Sequence, residues 1–362
     1  MKKIKILYTI PNFDTAGSGK VLYDLAENLD KNKFEVHIAC SHDNGFFFKE
    51  VEKLGLPIHL IETTCKLHPY WTLLKRIKPY KEFIEKNRFD IVHSWHWSSD
   101  WSEVLASRLA GTKFIYTKKA MTWGNIHWKI RSYLSHFIVT INEEMRNYFP
   151  QRKQQKLIPL GLDTNYYNPE HFLEKTHSDK FKIITVANLV PVKGIEVLID
   201  SIISLNNPNI ELHVLGDDRS DYAGELKQKV NDLGKETQIH FLGKHTDVRP
   251  FLATSDLYVI PTLNEGRKEG MPMALVEAMS LGLPVLGSNI SGINYVLKDF
   301  QKLLFEASNS DMLSKKILDL YEMSYEERLR IGGNLREYCI SNFSMKKFIT
   351  AHEELYYKIA NK

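Results

Sequence analysis

A chain of 362 residues, with 43% hydrophobic and 25% charged side chains, is globular in composition and longer than the roughly 250–300 residues at which one hydrophobic core stops growing, so two domains are expected. No window reaches the ~18 apolar residues of a membrane span, and three scattered cysteines (Cys40, Cys65, Cys339) make neither a disulfide framework nor a zinc motif, which leaves the cytoplasm as the expected compartment. The net charge of +4 is divided unevenly: residues 1–165 carry 25 lysines and arginines against 17 aspartates and glutamates, the remainder 23 against 27, and the basic half fits either solvated lysines or an anionic partner such as membrane lipid or phosphate.

The first predicted strand is Ile4–Ile10. Lys2 and Lys3 before it imitate the start of a signal peptide, but Lys5 interrupts the run and no small-residue cleavage site follows. Ala16-Gly17-Ser18-Gly19-Lys20 reads as a tight glycine turn ahead of a helix over Lys20–Leu29. Further short β-branched runs lie at Val36–Cys40, Ile58–Ile61, Asp90–His93, Lys113–Thr117, Phe137–Ile141 and Leu157–Leu160, alternating with helical patterns at Phe47–Leu54 and Asp100–Ala110. Strand, helix, strand at this spacing predicts a parallel sheet covered on both faces.

Within this half, His68–Arg88 mixes Tyr70, Trp71, Leu74 and Ile77 with Lys75, Arg76, Lys78 and Lys81, a composition that suits either an anionic membrane surface or an ordinary amphipathic helix. His93 and His96 flank Trp95 at the end of the fourth run, either as site residues or as two packed histidines in an aromatic patch. Lys118 and Lys119 end the fifth run, where they meet an anionic acceptor or solvent.

After Ile158-Pro159-Leu160-Gly161-Leu162-Asp163 and a polar stretch at 168–180 the pattern restarts, with strands predicted at Lys182–Ala187, Glu211–Leu215, Ile239–Leu242, Leu257–Pro261 and Pro284–Gly287 and helices at Gly194–Leu205 and Ala274–Leu281. Asn188 to Gly194 follows the first of these strands, and its Lys193 stands where a strand turns into a helix and can reach a pyrophosphate. The strongest signal is the strand–loop–helix junction Asn264–Met279. There Glu269 precedes a helix start and Glu277 lies inside the helix. Between them Gly270 lets the backbone approach a ligand, Pro272 leads into the helix, and Met271, Met273 and Ala274 offer backbone N–H groups at its N-terminus, a natural anion site. The last segment, Met345–Ile359, is aromatic and helical in pattern.

These landmarks resemble glycosyltransferase family 4, the large retaining GT-B family, over nearly the whole chain. The resemblance implies an α/β fold of two doubly wound Rossmann-like domains facing across a cleft: residues 1–165 on the acceptor side, 166–344 binding the nucleotide sugar, and a terminal helix within 345–362 packing back on the first. It implies a donor that is a UDP- or GDP-sugar, no bound cofactor and no metal, and a glycan or lipid-linked acceptor. The setting it implies is bacterial cell-surface polysaccharide or lipid-linked oligosaccharide synthesis, in the cytoplasm or at the inner face of the membrane. Nucleic acid is not an expected partner.

Residue by residue, Glu277 is expected to hold the ribose, Glu269 the donor sugar, Lys193 the pyrophosphate, the N–H groups of Met271, Met273 and Ala274 the diphosphate or sugar, Gly17 and Asn188 to lie on the donor side, and His96 near the reacting sugar, with His93, Lys118 and Lys119 on the acceptor side. Gly161 and Asp163 match the interdomain signature. Ala16, Trp95 and Asn188 depart from the family pattern, Asn188 standing where an arginine is usual. Those departures leave open a non-catalytic sugar-nucleotide-binding subunit, and the shared fold leaves open a sugar-nucleotide 2-epimerase. A phosphorylase would need pyridoxal phosphate and a longer chain.

Overall fold

The computed structural model describes residues 2–14, 16–119, 121–149, 154–172, 180–266 and 269–361. The chain divides into two compact units, residues 1–161 together with 346–362, and residues 162–345. Among the described residues no helix is long and apolar enough to cross a membrane.

The first unit is built on strands β1 (Ile4–Thr9), β2 (Phe34–Cys40), β3 (Ile58–Leu60), β4 (Ile91–Ser94), β5 (Lys113–Lys118), β6 (Phe137–Thr140) and β7 (Gln155–Leu157). They form one parallel sheet in the order β3-β2-β1-β4-β5-β6-β7. Central strands are covered on both faces, so they read as unbroken apolar runs. Ile6, Leu7 and Tyr8 of β1 and all four residues of β4 are buried. Helices cross between the strands. In Leu73–Asn87, Leu73, Ile77, Tyr80 and Ile84 recur at helical spacing and form the buried stripe that packs this helix on the sheet, while Leu74 stays exposed. Asn125 and Asn142 cap the helices Ile126–Leu134 and Glu143–Arg146 by accepting from the amides of Trp128 and Met145.

The terminal helix Met345–Ala360 belongs to this unit from Lys346 onward. Its Tyr356 packs against Phe34, and the Tyr356 hydroxyl lies 3.1 Å from that of Tyr8.

The second unit holds β8 (Phe181–Val186), β9 (Ile210–Leu215), β10 (Ile239–Gly243), β11 (Leu257–Ile260), β12 (Val285–Ser288) and β13 (Leu304–Phe305), again parallel, in the order β10-β9-β8-β11-β12-β13. Its core gathers Ile183, Leu198, Ile202, Leu212, Val214, Leu257, Val259 and Leu286 between sheet and helices. The two-residue β13 has no counterpart among the expected strands, and β7 lies earlier than the expected Leu157–Leu160. Ile158 still donates its amide to the Thr140 carbonyl of β6 at 2.9 Å, and Ile158 and Leu160 are buried.

In both sheets the strand order reverses at one place, between β1 and β4 and between β8 and β11. In open α/β sheets ligands bind beyond the carboxyl ends of the strands at such a point.

Candidate active site

In the second unit, the loops that leave β8 and β11 flank the reversal. Pro191–Lys193 forms a single 3-10 turn that ends at Gly194, whose φ of 64° lies in the left-handed region. A Cβ at Gly194 would come within 2.2 Å of the Pro261 carbonyl oxygen, so only glycine lets the two loops touch here. The Leu263 amide donates to the Val192 carbonyl at 2.9 Å and ties them backbone to backbone. Across this junction the Lys193 ammonium forms an ion pair with the Glu269 carboxylate. The two side chains keep 25% and 18% of their surface in solvent, so the pair is accessible.

Glu269 and Gly270 are pressed from behind by Gly292, where a Cβ would meet their carbonyl oxygens at 2.5 and 2.7 Å. Met271 and Pro272 are buried, Met273 and Ala274 half-buried. The helix Met273–Ser280 begins after Pro272, which provides no side-chain cap. Its first-turn amides lack that partner and carry the positive end of the helix dipole. Glu277, four residues into the helix and half-buried, shares a face with Met273. The Tyr167 hydroxyl hydrogen-bonds to Glu277. Burial, then the Glu277 charge, holds that phenol above its ordinary pKa. Tyr258 of β11 has its hydroxyl buried without a hydrogen-bond partner. Burial pushes its pKa well up, and the charges of Glu277 and then Glu269 add to the shift, which places both carboxylates within electrostatic reach of one phenol. Asn188 is exposed at the start of the β8 loop, its carbonyl accepting from the Val190 amide at 2.9 Å.

In the first unit several expected roles are corrected. Residues 16–20 are not a loop but the opening turn of the helix Ala16–Asn28. Gly17 is exposed on it, and Gly19 makes room for the protein's own Phe13, whose ring carbon would stand 3.0 Å from a Cβ. His93 lies within β4 with no exposed surface, one ring nitrogen 2.7 Å from the Tyr356 hydroxyl and the other 2.8 Å from Thr117 Oγ1. It is a core histidine that links the sheet to the terminal helix, not a residue that can meet an acceptor. Lys118 is likewise internal. Its ammonium stands 3.6 Å over the Trp128 ring and donates to the Thr122 carbonyl at 2.7 Å, and burial, aided by the Arg131 charge, lowers its pKa to about 7. Lys119 is half-buried and donates to the Trp95 carbonyl.

His96 sits just past β4, buried, with Nε2 2.9 Å from Thr63 Oγ1. Burial, followed by the charges of Arg131 and Lys119, holds its pKa well below the ordinary imidazole range, so His96 is neutral at physiological pH.

Two family profiles cover the chain almost end to end. One, described as Glycosyltransferase Family 4, matches residues 15–166, and one, described as Glycosyl transferases group 1, matches residues 168–338. The chain belongs to glycosyltransferase family 4. This glycosyltransferase is 24% identical to the UDP-Gal:alpha-D-GlcNAc-diphosphoundecaprenol alpha-1,3-galactosyltransferase of Escherichia coli, over 98% of the chain and 97% of the relative. It is 26% identical to the capsular polysaccharide biosynthesis glycosyltransferase CapH of Staphylococcus aureus, over 95% and 99%. Its fold superposes with a TM-score of 0.80 on Anabaena HepE, solved in complex with UDP and glucose, at 19% identity over 97% of the chain and 99% of the other. The layout is that of a GT-B enzyme with two Rossmann-like domains.

Three features of the glycosyltransferase escaped the sequence reading. Tyr167 lies between the Gly161–Asp163 signature and the polar stretch at 168–180, of which 173–179 fall outside the described residues. Tyr258 reads as one more apolar strand residue. The third is a fully buried ion pair, Glu103 with Arg131 at 3.3 Å. Glu103 also accepts from Thr9 at the end of β1 and from Ser94 at the end of β4, the latter at 2.6 Å, while Arg131 donates to Ser94 Oγ at 2.8 Å and to the Asp100 carbonyl at 2.6 Å. This network pins both strand ends at the reversal and the loop that carries His96. No local motif announces it, because its side-chain hydrogen bonds join residues 9 to 94 positions apart.

Proposed function

We propose that this glycosyltransferase takes its sugar from a nucleoside diphosphate sugar and transfers it with retention of configuration, in the assembly of cell-surface polysaccharide or a lipid-linked oligosaccharide. The observation that carries the proposal is the Lys193–Glu269 pair, drawn from two loops onto the strand reversal of the second unit, beside an uncapped helix start and one helical turn from Glu277. In this reading a pyrophosphate takes Lys193 and the first-turn amides as its partners. Glu269, released from Lys193, accepts hydroxyls of the sugar, and Glu277, oriented by Tyr167, accepts those of the ribose. Asn188 adds a polar group at the rim. The names of the Escherichia coli and Staphylococcus aureus relatives, and the UDP and glucose of the Anabaena structure, support the donor and the setting.

The reaction breaks the bond between the anomeric carbon and the diphosphate oxygen and forms one from that carbon to an acceptor hydroxyl oxygen on the same face. The acceptor proton passes to the departing phosphate oxygen, whose growing charge Lys193 and the amides stabilise. His96 enters as a neutral hydrogen-bonding group.

We place the enzyme in the cytoplasm, in peripheral contact with an anionic membrane. Trp71 and Leu74 are 86% and 65% exposed beside Lys75 and Lys78. The loop that presents Trp71 is held by Arg76, which donates to the carbonyls of Lys66, Leu67 and Pro69.

A thermal-shift panel of UDP- and GDP-sugars identifies the donor, and NMR of the product of turnover reads its anomeric configuration. Binding of no nucleotide sugar would overturn the proposal. An inverted product would overturn retention alone, and release of an epimerised sugar without an acceptor would reassign the enzyme as an epimerase.

A further inference from the structure

Glu211 and His213 are alternate residues of β9, so both side chains leave the same face of the sheet. His240 is the residue of the edge strand β10 that stands opposite His213 in register. One ligand atom from each of the three, a carboxylate oxygen and two imidazole nitrogens, lies within 4.8 Å of the others. Glu211 and His240 stand second in β9 and β10 and His213 fourth of six in β9, all within the strands, whereas Lys193 and Glu269 follow the carboxyl ends of β8 and β11. The cluster is no part of the donor site.

We infer that Glu211, His213 and His240 form a binding site for a divalent transition-metal ion of the zinc type, clipping edge strand β10 to β9. The distance from His213 Nε2 to Glu211 Oε1 is 3.3 Å. Neighbouring ligands of a tetrahedral zinc, each at about 2.0–2.1 Å from the ion, stand about 3.3 Å apart, so this edge of the polyhedron is already set. The His213 and His240 rings are near-perpendicular, at 79° with centroids 5.4 Å apart, and small rotations about their side-chain bonds close the third corner. Water would complete the fourth position.

Glu211 is 9% exposed, and Lys180 engages its other oxygen, Oε2, at 3.5 Å, which orients the carboxylate with Oε1 toward the imidazoles. Two nitrogen ligands and one oxygen select zinc, cobalt or nickel over magnesium. Lys182, paired in register with Glu211 on β8, is a like charge for the ion and opposes it.

The test uses the full-length protein stripped with chelator, then titrated with ZnCl2, CoCl2 or MgCl2. The expected result is one zinc per chain by calorimetry, a melting temperature raised by several degrees with zinc but not magnesium, and the intense visible absorption of four-coordinate cobalt. All three are expected to be lost in H213N/H240N. If the double variant fails to fold, H240A, at a half-exposed edge position, is expected to lose the cobalt spectrum and to weaken zinc at least tenfold. Absence of zinc binding by the native protein, an equal response to magnesium, or zinc and cobalt signals unchanged in either variant would overturn the site.

Discussion

Lys193 and Glu269 are 76 residues apart in the chain, and the backbone contact between Gly194 and Pro261 brings them together as an ion pair at the strand reversal of the second unit. Each is the other's counter-charge, and each has surface left for a ligand. Removing Lys193 takes away a cation aimed at the leaving diphosphate. K193A is expected to lower kcat/KM by about 10²–10³, the usual loss for one preorganised donor at a developing charge, with little change in melting temperature. Steady-state kinetics beside a thermal melt check it. Unchanged kinetics in a folded K193A would refute the role.

Glu277 acts on binding more than on chemistry if it holds the ribose. E277Q is expected to raise the donor KM about tenfold or more while kcat falls less, since a charge-assisted hydrogen bond contributes about 1.5–3 kcal/mol. Y167F, which removes the hydroxyl that orients Glu277, is expected to move in the same direction by a smaller factor. Equal losses in kcat and kcat/KM for E277Q would transfer Glu277 to the transition state.

What could be read in advance follows from how local the signal is. The central strands of both sheets are buried on two faces, so their sequences are apolar runs that need no partner to be seen, whereas the two residues of β13 make no run. Lys193, Glu269 and Glu277 stand out because strand ends and helix starts are local features, and the sheet topology then brings them together. His93 could not be placed from its neighbours. It becomes a core residue only because Tyr356, 263 positions later, hydrogen-bonds to it. The same holds for Lys118, which is buried by the Trp128 ring.

Buried histidines give the stability of the first unit a definite pH dependence. Burial lowers the pKa of His93 and His96 well below 6.5 and that of His352 to about 4. Below the ordinary pKa of 6.5 the unfolded chain takes up protons that the folded one refuses. Their contribution is therefore fully present above that value and is lost as pH falls toward about 4, by up to about 1.4 kcal/mol per pH unit for each imidazole. Calorimetry at pH 7.5 and pH 5 is expected to show the lower melting temperature at pH 5, with a smaller difference in H352F. A higher melting temperature at pH 5 would contradict the assignment.

The Glu103–Arg131 pair has no exposed surface, so its two halves should behave very differently when removed singly and together. In R131M the Glu103 carboxylate stays buried with only the Thr9 and Ser94 hydroxyls as partners. The expected cost is about 3–5 kcal/mol, as for other buried pairs broken on one side. In E103Q/R131M the buried charge is gone, the amide oxygen still accepts from a hydroxyl, and most of the loss should be recovered. Chemical denaturation of the two variants measures the difference. Because the network also fixes Ser94 and the Asp100 carbonyl on either side of His96, the double variant separates stability from activity. A protein restored in stability but still slow would identify Arg131 as a positioning residue for the loop, and one restored in both would confine the pair to folding.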